Sequence, residues 1–221
     1  MAVKKAEMAF VFDLDGTLFD SKEQICRAVD ITVKLHGWQT ISRRIISEKI
    51  GLPASELFSQ LNLAPTLVDM AVTSFRTELK RQVLVENLVF PGAVALLNKI
   101  KGDSYRIGVA TSKPTELAEL VIQNSVLTSL VDYVQGTEGF AAKPDPEVIL
   151  RCLRNLGVKS GFMIGDRPED MMAGNEAGLI AVGVAQSHFS QGDLLASGAS
   201  YSVASLEEMH NFLGEIINLT T

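Results

Sequence analysis

The chain has 221 residues, a formal net charge of −6, 47% hydrophobic residues and a mean hydropathy of +0.20. That length suffices for one large domain, or for one domain carrying a smaller one, and buries roughly 70–75% of the unfolded surface without help from disulfides. The acidic balance argues against nucleic acid or an anionic membrane as the main partner, and no run reaches the ~18 apolar residues of a membrane span.

The first predicted element is the apolar run in "FVFDLDGTLFD", a strand that stops on Asp13, skips a residue and places Asp15 before Gly16. Two carboxylates at a strand end repel each other and are expensive to bury without a cation between them. From Ser21 to about Leu88 the patterns "KEQICRAVDITVKLHG", "SRRIISEKIG", "PASELFSQLN" and "PTLVDMAVTSFRTELKRQV" are all helical, and no strand is expected. Some 70 helical residues after a first strand are too many for a loop, so they are expected to form a small helical unit. Its connections fall near Phe19–Lys22 and Asn87–Pro91, where a lid would hinge. From Pro91 onward the pattern alternates: helix "PGAVALLNKIKG", strand "YRIGVAT", helix "PTELAELVIQNSV", strand "VDYVQG", helix "PDPEVILRCLRNLG", strand "GFMIGD", helix "EDMMAGNEAG", strand "IAVGVA", strand "YSVAS" and helix "LEEMHNFLGEIINL". Alternation of this kind implies a parallel sheet with helices on both faces, and ligands outside the carboxyl ends of the strands. Cys26 and Cys152 are expected to be buried free thiols, and "MAVKKAEMAF" carries no apolar leader, so a cytoplasmic protein is expected.

Four short stretches fall at or beside strand ends. In "DLDGT", Asp13 and Asp15 face one crevice and invite Mg²⁺, which prefers hard oxygen ligands; an Asx-turn would also account for an isolated Asp-Gly. In "ATSK", Thr111 offers a hydroxyl, and the N–H groups after it open a helix suited to an anion, although Ser or Thr there is also an ordinary N-cap. In "AAKPDPE", Lys143 lies in a loop before a helix, locked by Pro144 and Pro146, either as a solvated surface lysine or as the cation that neutralises a transferring phosphoryl group. In "GDRPED", Asp166 ends a strand and Asp170 lies four residues on, where helix capping is the alternative role. Together they supply a nucleophilic carboxylate, a second carboxylate for proton transfer, a hydroxyl, a lysine and a metal-binding acid pair. That set suits phosphoryl transfer, in which positioning and charge neutralisation do most of the catalysis.

These stretches, in this order across nearly the whole chain, resemble the four motifs of the haloacid dehalogenase superfamily, and "FDLDGTLFDS", "TSKP" and "KPDP" are most similar to its phosphoglycolate phosphatase-like group. The resemblance implies a three-layer α/β core with a Rossmann-like parallel sheet over residues 1–20 and 88–221, and a small all-helical cap over 21–87. It implies that Asp13 attacks phosphorus and that Asp15 protonates the leaving alcohol and then deprotonates water. It further implies that Mg²⁺ is bound by the carboxylates of Asp13 and Asp166 and the backbone carbonyl of Asp15, with Asp170 assisting directly or through water. Thr111, the backbone of Ser112 and Lys143 would hold the phosphoryl oxygens. Gly51, in "KIGLP", resembles the cap segment that faces substrate, and is otherwise a helix junction. Arg44, with Arg43, either meets an anionic leaving group or lies on a solvated helix face. Trp38 is expected in the cap core. The stretch "GVAQSHFSQGD", with His188, departs from the family's glycine-aromatic signature.

The expected function is Mg²⁺-dependent hydrolysis of a small, phosphoglycolate-like phosphomonoester through an aspartyl-phosphate. The alternative is a phosphosugar mutase of β-phosphoglucomutase type. A dehalogenase would not need Asp15, and a non-catalytic module would need a damaged motif. The expected partner is a small phosphorylated metabolite, and nothing in the sequence sets an oligomeric state.

Overall fold

In a computed structural model describing residues 7–85 and 88–220, six short strands form one sheet. They are β1 (Met8–Phe12), β2 (Arg106–Ala110), β3 (Tyr133–Gln135), β4 (Ser160–Gly165), β5 (Ile180–Val184) and β6 (Tyr201–Val203). The order is β3-β2-β1-β4-β5-β6 and every pairing is parallel. β1 therefore lies inside the sheet, and its period-two alternation divides the interior. Phe10 and Phe12 face one layer with Phe162 and Ile164 of β4; Ala9 and Val11 face the other with Met163. Phe10 stacks on Phe162 at 4.6 Å between ring centroids and meets Tyr105 edge-on at 5.2 Å. These aromatic contacts fix the register of the strands that carry the site.

The insert after β1 contains only helices among its described residues: α1 (Lys22–Leu35), α2 (Arg43–Lys49), α3 (Ala54–Phe58) running into a 3-10 turn at Ser59–Leu61, and α4 (Pro65–Val83). α4 buries Ala71, Phe75, Leu79 and Val83, one residue per turn, against Ile25, Val29 and Val33 of α1 and against Phe58. Trp38 stands at the edge of this core, half-buried and stacked on His36 at 4.5 Å, rather than inside it. The two connections of the insert run side by side: Asp20 N–H donates to the Leu88 carbonyl at 2.9 Å, and Phe90 N–H to Leu18 at 2.9 Å. Phe19 and Val89 form an antiparallel bridge between them. Asn87, placed in the second connection by the sequence, lies outside the described residues.

The remaining helices complete three layers. α5 (Ala93–Gly102), α6 (Thr115–Gln123), α10 (Leu206–Asn211) and α11 (Leu213–Ile217) cover the Phe10 face; α7 (Glu147–Leu156), α8 (Pro168–Glu176) and α9 (Gln191–Ala196) cover the other. Two features differ from expectation. α9 is an extra helix, started by a capping box in which Ser190 and Asp193 exchange side-chain and backbone hydrogen bonds. The C-terminal helix is broken at Phe212, although Leu206, Met209, Leu213 and Ile216 keep one apolar face across the break. Cys26 and Cys152 are buried and free. Among the described residues no helix is long and apolar enough to cross a membrane.

Candidate active site

Asp13 is the first residue past β1, and its N–H continues the ladder by donating to the Ile164 carbonyl at 2.8 Å. This bond sets the carboxylate at a rigid strand end. Lys143, arriving from the loop before α7, reaches it with Nζ 2.5 Å from Asp13 Oδ1. The same Nζ lies 2.6 Å from Asp170 Oδ1 and donates to the Ala110 carbonyl at 3.0 Å, so all three ammonium protons have acceptors. Asp166, just past β4, accepts from the Thr17 hydroxyl at 2.7 Å and from the hydroxyl of Ser187. Gly16 allows this crowding. Its φ is +94°, and a Cβ there would come within 2.5 Å of an Asp166 carboxylate oxygen.

Carboxylate oxygens of Asp13, Asp166 and Asp170 all lie within 4.8 Å of one another, and all three residues are buried. Three buried acids against one lysine leave excess negative charge, which burial penalises. Desolvation, reinforced by Asp170 and Asp166 and opposed by Lys143, pushes Asp13 up to about 8. Desolvation and the Asp170 charge push Asp166 up to about 6, against the hydrogen bonds from Ser187 and Thr17. For Lys143, burial favours the neutral amine, but Asp13 and Asp170 outweigh it and hold the ammonium form. Asp13 Oδ2 is buried with no hydrogen-bond partner among the described residues. A convergent set of hard oxygens, one of them uncommitted and all short of positive charge, fits Mg²⁺.

Asp15 stands apart from this cluster. Its carboxylate forms an ion pair with Lys113, Nζ to Oδ2 2.8 Å, and both side chains are about nine-tenths buried. Thr111 is buried past β2, where its N–H donates to the Gln135 carbonyl and its hydroxyl accepts from Lys113 N–H at 3.3 Å. Ser112 Oγ is buried and without a partner among the described residues. Asp15, Thr111, Ser112, Lys113 and Gly51 share the wall of a cavity of about 50 Å³ between the sheet and the insert. Its other walls are mostly aliphatic, with Lys49 and Arg76 adding positive charge. A second cavity of about 190 Å³ opens on the far side, against Asp166, Arg167, Ser187 and His188.

The structure thus brings Asp13, Lys143 and Asp170 into contact with Asp166 close by, and sets Asp15, Thr111, Ser112 and Gly51 around the adjoining cavity. Arg44 is not brought in. Its side chain is 85% exposed and paired with Glu48 at 3.6 Å, on the outer face of α2, because the apolar face of that helix turns Ile46 inward instead. Sequence reasoning passed over Lys113, Arg167 and Ser187. Lys113 was in plain sight in "ATSK", but a lysine beside a helix start has no pattern to distinguish it from a solvated one.

A family model for haloacid dehalogenase-like hydrolases matches residues 10–184. The chain is 35% identical, over 182 residues and 79% of each chain, to a protein of Dickeya dadantii (strain 3937) named "Probable phosphatase IndB". It is 29% identical over 187 residues to a phosphoglycolate phosphatase of Rhodospirillum rubrum, covering 79% of this chain and 78% of that one. A crystal structure described as a predicted phosphatase from Clostridium acetobutylicum superposes with a TM-score of 0.85 at 29% identity, covering 95% of this chain and 99% of that one. The matched segment carries β2 to β5, most of β1 and the acid cluster, and the chain belongs to the haloacid dehalogenase-like hydrolases, among the phosphatases of that family.

Proposed function

We propose that this protein is a Mg²⁺-dependent, cytoplasmic phosphatase for a small phosphomonoester, with Asp13 as nucleophile and residues 21–87 as a cap domain over the crevice. The observation that carries this reading is the buried trio Asp13, Asp166 and Asp170, with Lys143 bridging Asp13 and Asp170 and with Asp13 Oδ2 unpartnered among the described residues. Asp13, Asp166 and Asp170 are the residues to hold Mg²⁺, with the Asp15 backbone beside them. When bound, the cation supplies positive charge that ionises Asp13 and offsets the negative charge of the phosphoryl group.

In the first step an Asp13 carboxylate oxygen bonds to phosphorus, the bond from phosphorus to the ester oxygen breaks, and Asp15 gives its proton to the departing alcohol. Lys143 and the Thr111 hydroxyl, with the backbone at Ser112, hold the phosphoryl oxygens as charge spreads over them. In the second step Asp15 takes a proton from water, the water oxygen bonds to phosphorus, and the aspartyl-phosphate bond breaks to release inorganic phosphate. Lys113 pairs with the Asp15 carboxylate, so the acid step requires that pair to loosen and Asp15 first to take a proton from water, the proton it then gives to the leaving alcohol. The small cavity beside Asp15 suits a compact leaving group such as that of phosphoglycolate.

The test is phosphate release over a panel of phosphomonoesters, with Mg²⁺ and with EDTA. Mg²⁺-dependent turnover of at least one small ester is expected, without conversion of glucose 1-phosphate to glucose 6-phosphate. Release that persists in EDTA would remove the metal from the reaction, and no release from any ester would remove the phosphatase.

A further inference from the structure

Arg167 lies between the two acids of "GDRPED", yet its side chain leaves them. It is 5% exposed, and its backbone is fixed at the start of α8, where its N–H donates to Asp170 Oδ2 at 3.1 Å. From there the guanidinium divides its donors between two regions. Nε and Nη2 are held by Glu169 at 3.1 and 3.4 Å, and the guanidinium carbon sits 5.2 Å from the Phe189 ring centroid. Nη1 crosses to the insert and donates to the carbonyls of Ile50 at 2.8 Å and Glu48 at 3.2 Å. Those carbonyls belong to the end of α2, where helix geometry leaves acceptors without partners and favours a cation. Gly51 accommodates the arginine stem: its φ is +87°, and a Cβ there would come within 2.6 Å of Arg167 Cδ. The insert and the body also meet through Lys80 and Glu116, but that pair is solvent-exposed and contributes little.

We propose that Arg167 is the latch that holds the insert closed over the crevice, and so is the positioning residue for the wall that meets the leaving group. Lys49, Ile50, Gly51 and Leu52 all line the cavity beside Asp15, and they are the residues the latch grips or adjoins. Because Arg167 is mounted between Asp166 and Asp170, the position of that wall is referenced to the acid cluster rather than to the sheet at large. Glu169 keeps the guanidinium aimed while the insert opens, leaving Nη1 ready to recapture it. The inference deepens the phosphatase reading and rests on it for the kinetic consequence, but the latch itself is a contact that can be measured without any substrate.

The experiment compares the full-length protein with Arg167→Gln and Arg167→Lys. Hydrogen–deuterium exchange is followed in peptides covering residues 43–53 and in peptides covering β1 and β4. In Arg167→Gln, protection at 43–53 is expected to fall about tenfold, the scale set by losing charge-assisted hydrogen bonds, while β1 and β4 keep theirs. With a Mg²⁺-supported ester, KM is expected to rise about tenfold while kcat stays within about twofold, because saturating substrate pulls the insert closed. Lysine keeps the charge but lacks the fork, so Arg167→Lys should recover only part of both effects. Unchanged exchange at 43–53 overturns the latch, and so does a fall in kcat at constant KM. If Arg167→Gln exchanges uniformly faster, Glu169→Gln decides: a shift of about threefold in the same two readouts supports the latch, and no shift overturns it. Should no ester be hydrolysed by the unaltered protein, the phosphatase reading fails while the exchange result still judges the latch.

Discussion

The strand wall of the crevice carries Asp13, Asp166, Asp170 and Lys143 at 1–4% exposure, each hydrogen-bonded or paired on at least one side. The facing helix wall is mostly aliphatic, and its cations are loosely held: Lys49 is 29% exposed and 3.8 Å from Glu56, and Arg76 is exposed. The difference follows from what each wall does. In the proposed reaction, bond-making at phosphorus needs charges fixed in advance, as the pairing of these buried groups provides. Admission of a leaving group needs a wall that can move away and return.

Removing the carboxylate proposed as nucleophile breaks the comparison most severely. Asp13→Asn should lower phosphate release by at least about 10⁴-fold in the Mg²⁺-dependent assay. Asparagine preserves the shape of Asp13 and removes a carboxylate charge that burial penalises, so the melting temperature without metal should fall by less than it does for Lys143→Met. Full activity in that variant would end the assignment of the strand wall.

Next comes Lys143→Met, which leaves two buried acids without their shared cation. The expected cost is about 3–5 kcal/mol, a fall of roughly 10 °C in the melting temperature, with part of it recovered on adding Mg²⁺. A melting curve that matches the unaltered protein would show that Lys143 is not the counter-charge.

The acid cluster also fixes a pH dependence. Asp13 and Asp166 bind protons more tightly when folded than unfolded, so between about pH 4 and 8 the folded chain carries more protons. Their contribution to stability is therefore greatest at low pH and is lost as pH rises through about 6 and then 8. A divalent cation must expel those protons to bind. The gain in melting temperature from Mg²⁺ should thus be larger at pH 8.5 than at pH 6, and equal gains would move the metal away from these carboxylates.

The smallest effect belongs to the outer face of the helix wall. Arg44→Ala should leave kcat/KM within about twofold and stability within about 0.5 kcal/mol, since its side chain is 85% exposed. A tenfold rise in KM would bring Arg44 back to the substrate.

The strand wall was legible in the sequence because each of its groups interrupts a local pattern. Asp13 and Asp166 are charges where a buried strand should continue, and Lys143 is followed at once by Pro144 and then Pro146. The helix wall offers no such interruption. Ile46, Leu57 and Phe75 have the same spacing whether a helix faces a core or a substrate, and so the two roles open to Arg44, at a leaving group or on a solvated face, could not be separated by pattern. Arg167 was hidden by its neighbours, since the paired acids of "GDRPED" already accounted for that stretch. α9 did carry a signal in Ser190 and Asp193, three apart, whereas the break at Phe212 carried none, because the apolar spacing continues through it.

The paired crossing at Leu18–Asp20 and Leu88–Phe90 has a mechanical consequence. Two backbone passages bonded side by side make a ribbon, and a body hung on a ribbon swings about one axis instead of wandering like a ball on a string. Under the proposed mechanism, uncovering the floor of the crevice and admitting solvent to it would then be one stroke, and the proposed aspartyl-phosphate would be shielded for as long as the insert stays closed.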